Sequence, residues 1–459
     1  MRIVDQLVDY ITGISFEDLP PYAIEASKKQ VLDTLACTLA GSTYDAIERT
    51  ANLYKDWGGK EESTIFVYGG KVPSTSAATI NGWLAGITDF DDYNDVEMPH
   101  VSRQNVPACL AMAERLGAVN GRDFIVAVAV GYDIECRLSR AVWYHYQPGW
   151  IWNPSPLFGF FGCAAATAKM AGLNGEQTRQ ALSLALYHAG GLLGGVVEGA
   201  NSKCMDSGRA AAGGILSTLL AQLGVTGADD PIEGPRGVYD AFYHNVYSKD
   251  MVTVDLGTVF CSKTSAFKPY PCCGFKGTPV DGTLRLVREN VIDPDQIREV
   301  YIEGGRDVVL VAEPREQKLN PVSRVAAQFS LPWGVANAIL ARRLGPEHYT
   351  ADALQNKKAL DLAKRVTFKL NPYFRTCEDY EPAFVEIRME DGKAYSTSVD
   401  LRYGHYKNPM NWEAIVEKFK DCARSSRKPM PAKAQEDVIE LVKNLETLLD
   451  AGKIASAMG

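Results

Sequence analysis

Leu157-Phe158-Gly159-Phe160-Phe161-Gly162-Cys163-Ala164-Ala165-Ala166-Thr167-Ala168-Lys169 holds the most apolar run of this 459-residue chain. It falls short of the roughly 18 uninterrupted apolar residues that a membrane span needs. It is rich in Gly and Ala, and Lys169 closes it. A helix buried on most sides accounts for it. Ala210-Ala211-Ala212-Gly213-Gly214 offers a second small-residue face that lets helices approach closely. Asn120-Gly121-Arg122-Asp123 and Asn174-Gly175-Glu176-Gln177 each put a side-chain acceptor at a helix start and a polar partner three residues on, the pattern of a capping box. The first two-thirds of the chain therefore reads as a large all-helical core.

After about residue 264 the pattern changes. Val300-Tyr301-Ile302, Val366–Leu370, Ala383–Met389 and Ala394–Val399 read as short strands. The last two are joined by Glu390-Asp391-Gly392-Lys393, a hairpin signal. Helical stretches are expected over Ala326–Arg342 and Ala351–Ala363. In the tail, Val438, Leu441, Val442, Leu445, Leu448 and Leu449 form one apolar stripe that needs a partner, most simply the large helical core. The expected fold is thus mainly α with an inserted α+β domain. Residues 1–264 and 403–459 would build the large helical domain and 265–402 a smaller lid, with a ligand cleft between them.

A composition of 46% hydrophobic and 23% charged residues is that of an ordinary globular protein. The excess of 56 acidic over 48 basic residues argues against a nucleic-acid or membrane-surface binder. Met1-Arg2-Ile3-Val4-Asp5-Gln6 lacks the layout of a secretory signal. Of the ten cysteines, Cys37, Cys109, Cys136 and Cys163 lie in apolar helical patterns, as expected of reduced core residues in a cytoplasmic protein.

The six histidines, at 100, 145, 188, 244, 348 and 405, include no pair at metal spacing, and the close cysteine pair Cys272-Cys273 is adjacent rather than two apart. Gly190, Gly191, Gly194 and Gly195 follow a helix and do not form a dinucleotide loop. The sequence holds no Walker loop and no Gly-x-Ser-x-Gly elbow. Chemistry without a bound nucleotide or metal is expected.

Four clusters carry polar groups suited to catalysis. In the first, an apolar helix (Ala77–Ile87) runs into Asp89-Phe90-Asp91-Asp92-Tyr93-Asn94-Asp95 and then Pro99-His100-Val101-Ser102. This could be a solvated helix end. However, acids are disfavoured at a helix C-terminus, and a carboxylate that tunes a histidine is one reason for them. The second, Gly149-Trp150-Ile151-Trp152-Asn153-Pro154-Ser155-Pro156, enters the buried helix, with Asn153 placed as a cap. The third, Asn201-Ser202-Lys203-Cys204-Met205-Asp206-Ser207-Gly208-Arg209, sets two cations at a helix mouth, either as snorkelling surface residues or as an anion clamp. The fourth, Phe267-Lys268-Pro269-Tyr270-Pro271-Cys272-Cys273-Gly274, brackets a tyrosine with prolines and would hold Lys268 rigidly, either in a hinge or in a site.

In this order and at these separations the clusters resemble the MmgE/PrpD family, which includes 2-methylcitrate dehydratases, cis-aconitate decarboxylases and iminodisuccinate epimerase. The resemblance also takes in Leu32-Asp33-Thr34-Leu35-Ala36, Leu39-Ala40-Gly41, Asn81-Gly82, Phe329-Ser330-Leu331-Pro332 and Tyr403-Gly404-His405. It implies a large helical domain from both chain ends, an inserted lid, a homodimer, no metal or organic cofactor, and small di- or tricarboxylate substrates. By motif it assigns Asp89, His100, Lys203 and Lys268 to catalysis, and it points to Tyr93, Asn153, Arg209, Tyr270 and Trp333 as substrate contacts.

The reaction it implies is a cofactor-independent lyase step, a dehydration or decarboxylation. The two lysines would clamp carboxylates and His100, oriented by Asp89, would move a proton next to one of them. Epimerisation through the same carbanion-like intermediate is the alternative, and a carboxylate-binding relative without catalysis a third reading. Asn153-Pro154 stands where relatives have His-Pro, and Trp333 where tyrosine is common. Tyr93 stands where many have Thr or Ser, and Val101 where proline is usual.

Overall fold

Three asparagines start three of the long helices. The Asn120 side chain accepts the Asp123 N–H at 2.9 Å, Asn153 accepts that of Ser155 at 3.2 Å, and Asn174 accepts that of Gln177 at 2.9 Å. Gln177 reaches back to the Asn174 N–H, completing the capping box. The computed structural model describes residues 1–143, 145, 151–374 and 381–459. Gly149 and Trp150 of the aromatic turn lie outside the described residues.

The helices that position the site are α1 (Pro21–Gly41), α2 (Ser74–Gly86), α3 (Ser102–Leu116), α4 (Gly121–Trp143), α5 (Pro154–Met170), α6 (Gly175–His188) and α7 (Met205–Gln222). Helix α5 is the apolar run, and every residue from Ser155 to Ala168 in it is buried. Small residues set the spacing of these helices. A Cβ on Gly208 would lie 2.0 Å from the Thr79 carbonyl oxygen, so α7 rests directly on the backbone of α2. Likewise a Cβ on Gly214 would lie 2.4 Å from Cys163 Cβ, seating α7 on α5.

Two short strands tie the acidic loop to the junction segment: β1 (Tyr93–Asn94) pairs antiparallel with β2 (Ser265–Ala266), Tyr93 opposite Ala266. Beyond them come α8 (Gly277–Glu289), β3 (Ile297–Gly304), α9 (Leu331–Ala341), β4 (Val366–Leu370), β5 (Ala383–Met389) and β6 (Ala394–Val399). The sheet order is β4-β3-β5-β6, with β3 and β4 parallel and the other pairs antiparallel. The β5–β6 hairpin turns through Gly392 at φ +89°, a left-handed conformation that costs glycine little. Helices α10 (Trp412–Arg424) and α11 (Ala432–Lys443) return to the large core. One hydrophobic cluster joins residues from Ile3 to Phe267 with Met410 to Met458, and a second spans Cys272 to Met389. The fold is mainly α with a smaller α+β part.

The structure differs from the expected elements in four places. The stretch 326–342 is broken between Gln328 and Leu331, because Pro332 cannot continue a helix and Ser330 caps a new one through the Trp333 N–H at 3.1 Å. The helix expected over 351–363 is α-helical only over Lys357–Ala363, where Asn356 caps it. The first strand is longer than Val300-Tyr301-Ile302. In the tail, Val438, Val442 and Leu445 are buried in the large cluster, but Leu449 is exposed beyond the end of the helix.

Candidate active site

Helix α2 ends at Gly86, and the chain turns at Asp89 with φ +54°, a conformation uncommon outside glycine. The turn aims the Asp89 carboxylate inward, where it is buried between two ammonium groups. Lys203 Nζ donates to Asp89 Oδ1 at 2.9 Å and to the Gly86 carbonyl at 3.3 Å. Lys268 Nζ donates to the Asp89 carbonyl at 3.0 Å and lies 3.4 Å from Oδ2. Burial pushes the Asp89 carboxyl up, but Lys203, Lys268 and His100 outweigh it and hold the group below the usual carboxylate range. Lys203 is shifted the other way: burial lowers it, and Asp89 more than restores it, so the ammonium persists. Each ammonium has three donors; Lys203 uses two of them on protein oxygens and Lys268 one, beside its ion pair with Asp89 Oδ2.

The histidine is oriented by Asp91 and not, as expected, by Asp89. His100 Nδ1 lies 2.8 Å from Asp91 Oδ2. Asp91 is fully buried; burial raises its pKa, yet His100 and Arg103 keep it below the ordinary range, so it is ionised and accepts. Nδ1 therefore carries the hydrogen, and Nε2 presents a lone pair. The reason for the exchange is local: the left-handed turn at Asp89 commits that carboxylate to the lysines, and Asp91, two residues on, faces α3. His100 is held at its backbone as well, its N–H on Ser155 Oγ at 2.9 Å and its carbonyl on Gln104 Nε2 at 2.6 Å. Burial, then the Lys268 charge, bring its pKa down to about 4 despite Asp91, so the imidazole is neutral near pH 7.

Tyr93 stacks on this imidazole, with ring centres 5.5 Å apart and planes at 29°. The Arg402 guanidinium lies 4.7 Å from the Tyr93 ring centre and Lys268 Nζ 5.5 Å from it. Arg402 is buried and pairs with Asp95 and Glu381. Asp95, Glu381 and His405 are near enough to share a cation, but the Arg402 guanidinium already supplies the positive charge there.

The remaining expected contacts scatter. Asn153 caps α5 and reaches the site only through its neighbour Ser155. Arg209 is exposed and pairs with Asp206 at 3.1 Å. Tyr270 gives its hydroxyl to Asp281 at 2.6 Å. Trp333 is fully buried in the second cluster with its indole N–H on the His348 carbonyl at 3.1 Å, so it stabilises that core rather than lining the site. A cavity of about 220 Å³ lined by Ala312, Arg315, Pro332 and Phe368 contains none of the site residues.

Two cations escaped the sequence reading. Arg103 is buried with one guanidinium nitrogen 3.5 Å from Asp91 and 3.3 Å from Cys204 Sγ. Lys418, on α10, donates to Asp33 Oδ1 at 2.6 Å, the Phe90 carbonyl at 2.6 Å and the Lys268 carbonyl at 3.0 Å, tying the acidic loop to the junction segment. A signal for Arg103 existed: Ser102-Arg103-Gln104-Asn105 is a polar string opening an apolar helix directly after His100. Lys418 sits in an ordinary amphipathic helix and gave none.

Helices from both chain ends and a sheet unit set between them bring together two buried ammonium groups, two buried carboxylates and a partly buried imidazole on a mainly helical scaffold. Two family models together span most of the chain: the MmgE/PrpD N-terminal domain matches residues 5–249 and the MmgE/PrpD C-terminal domain residues 270–446. The chain belongs to the MmgE/PrpD family. Its relatives include the cis-aconitate decarboxylase of Homo sapiens, 25% identical over 99% of this chain and 94% of the human protein. That of Aspergillus terreus is 25% identical over 98% and 94%, and that of Mus musculus 24% identical over 98% and 91%. Among the described residues no helix is long and apolar enough to cross a membrane.

Proposed function

We propose that this protein is a cofactor-independent lyase of small di- or tricarboxylates, acting by decarboxylation. The observation that carries the reading is the convergence of Lys203, Lys268 and Asp89 with the His100–Asp91 pair in one buried place. The names of the relatives favour decarboxylation over loss of water.

A substrate carboxylate takes the unused N–H of Lys203 and of Lys268. When the bond from carbon to the departing carboxylate breaks, carbon dioxide leaves and the electron pair remains on the adjacent carbon, spread into the retained carboxylate. The two ammonium groups stabilise that charge in a site with little water, each by about 2–4 kcal/mol. A proton that His100 Nε2 takes up from water is delivered to that carbon, so that a carbon–hydrogen bond replaces the broken carbon–carbon bond. Nε2 is free to take a proton, and the negative charge of a bound substrate raises the basicity of the ring so that it can hold one and return it. The family resemblance further supports a homodimer, and the nine free cysteines among the described residues suit a reducing compartment such as the cytoplasm.

The test is incubation with a panel of C4–C7 carboxylates in heavy water. Carbon dioxide release with deuterium incorporated next to a carboxylate is expected. A panel that yields neither product nor exchange overturns the reading, and exchange without bond cleavage would replace the lyase with an epimerase.

A further inference from the structure

Tyr93 is pinned on every side that the structure describes. Its backbone pairs with Ala266, two residues before Lys268. One ring face lies on His100, Arg402 and Lys268 lie over the ring, and a Cβ on Gly274 would come within 2.8 Å of the hydroxyl. With 8% of its surface accessible, the ring has no second place to go. It fills the space beside the two groups, His100 and Lys268, that must meet the substrate.

The charges favour an anion in this place. Within this contact network three cations (Lys203, Lys268 and Arg103) face two ionised carboxylates, Asp89 and Asp91, so one positive charge is left for a ligand. Lys276, buried and donating to the Ala327 and Ser330 carbonyls rather than to a carboxylate, is a further cation of this region, whereas Lys418 is matched by Asp33 and Arg209 faces solvent with Asp206. A buried substrate carboxylate therefore meets opposite charge here rather than an unpaired environment.

We infer that Tyr93 is a specificity-determining residue whose ring disfavours branched acids relative to short unbranched ones. This rests on the lyase reading and narrows it: the extra carboxymethyl arm of a branched tricarboxylate competes with the ring for the space beside His100 and Lys268.

The experiment is ligand binding by calorimetry, and turnover, with fumarate, maleate and glutaconate against cis-aconitate and citrate, for the native protein and for Tyr93→Ser and Tyr93→Phe. The native protein should bind at least one dicarboxylate 10-fold or more tightly than either tricarboxylate. Tyr93→Ser should narrow that ratio at least 10-fold by gaining the tricarboxylate, and Tyr93→Phe, which keeps the ring, should keep the preference whatever its rate. Native binding of cis-aconitate as tight as that of every dicarboxylate overturns the inference while leaving the lyase reading intact. The same holds for an unchanged ratio in a folded Tyr93→Ser. Should that variant not fold, the native ratio decides. Binding of no carboxylate at all overturns the lyase reading itself.

Discussion

His100 Nδ1 and Asp91 Oδ2 are 2.8 Å apart, and this contact decides which imidazole nitrogen faces the ligand. An asparagine at 91 can turn its amide N–H toward Nδ1, shift the hydrogen to Nε2 and remove the base. Asp91→Asn should therefore lower kcat about 100-fold or more with a smaller change in KM. Steady-state kinetics beside a thermal melt check it; a rate near that of the native protein would remove Asp91 from the mechanism.

The position of His100 among Lys268, Arg103 and Asp91 sets a pH signature. Its folded pKa of about 4 lies below the ordinary 6.5, so the unfolded chain binds more protons between those values. His100 thus contributes stability above pH 6.5 that is lost as pH falls toward 4, about 3 kcal/mol in all. The difference between native and His100→Gln stability, measured by urea unfolding from pH 4 to 7, should follow that curve. In the free enzyme kcat/KM should show no inflection near 6.5, where an unperturbed histidine would titrate.

Lys203 and Lys268 share Asp89, so their removal should not be additive. Lys203→Gln leaves Asp89 with Lys268 alone and should cost about 1–3 kcal/mol, less than the ~3–5 kcal/mol of a fully orphaned buried charge. Adding Asp89→Asn should recover part of that loss, a coupling visible in a double-mutant cycle. Turnover should fall at least 100-fold in the single variant, since one donor to the developing charge is gone.

Lys418 makes no contact with the space beside His100, yet it joins Asp33, Phe90 and Lys268. Lys418→Met should destabilise by about 3–5 kcal/mol by stranding the Asp33 carboxylate. It should also raise KM, because Lys268 loses the anchor of its own carbonyl. An unchanged KM in a folded variant would separate Lys418 from the site.

What the sequence made legible was whatever local chemistry encodes. The caps at Asn120, Asn153 and Asn174, the Asp391-Gly392 hairpin and the three strands 366–370, 383–389 and 394–399 stand where the pattern puts them. Asp89, His100, Lys203 and Lys268 could be singled out by motif, and the structure brings all four together. Choosing Asp91 over Asp89 as the partner of His100 could not be done from residue types. It depends on a left-handed turn that sends two acids, two positions apart, to different neighbours. Trp333 and Arg209 lie away from the cluster, because a motif position says nothing about which side of a helix faces it.

Gly208 links the packing to the site. Helix α7 begins two residues after Lys203, α2 ends three residues before Asp89, and the two helices touch where Gly208 meets Thr79. A methyl group at 208 must push the backbones apart, because its Cβ would sit 2.0 Å from the Thr79 carbonyl oxygen. Gly208→Ala should thus cost about 2–3 kcal/mol or more through overpacking, although alanine is the better helix former. The same displacement would move Lys203 away from Asp89, so activity should fall further than stability alone explains. Gly190→Ala, where a Cβ meets nothing within 4 Å, is the control and should leave the melting temperature nearly unchanged. If Gly208→Ala melts like the native protein and keeps its rate, contact between these two helices is not what aligns the lysine with the aspartate.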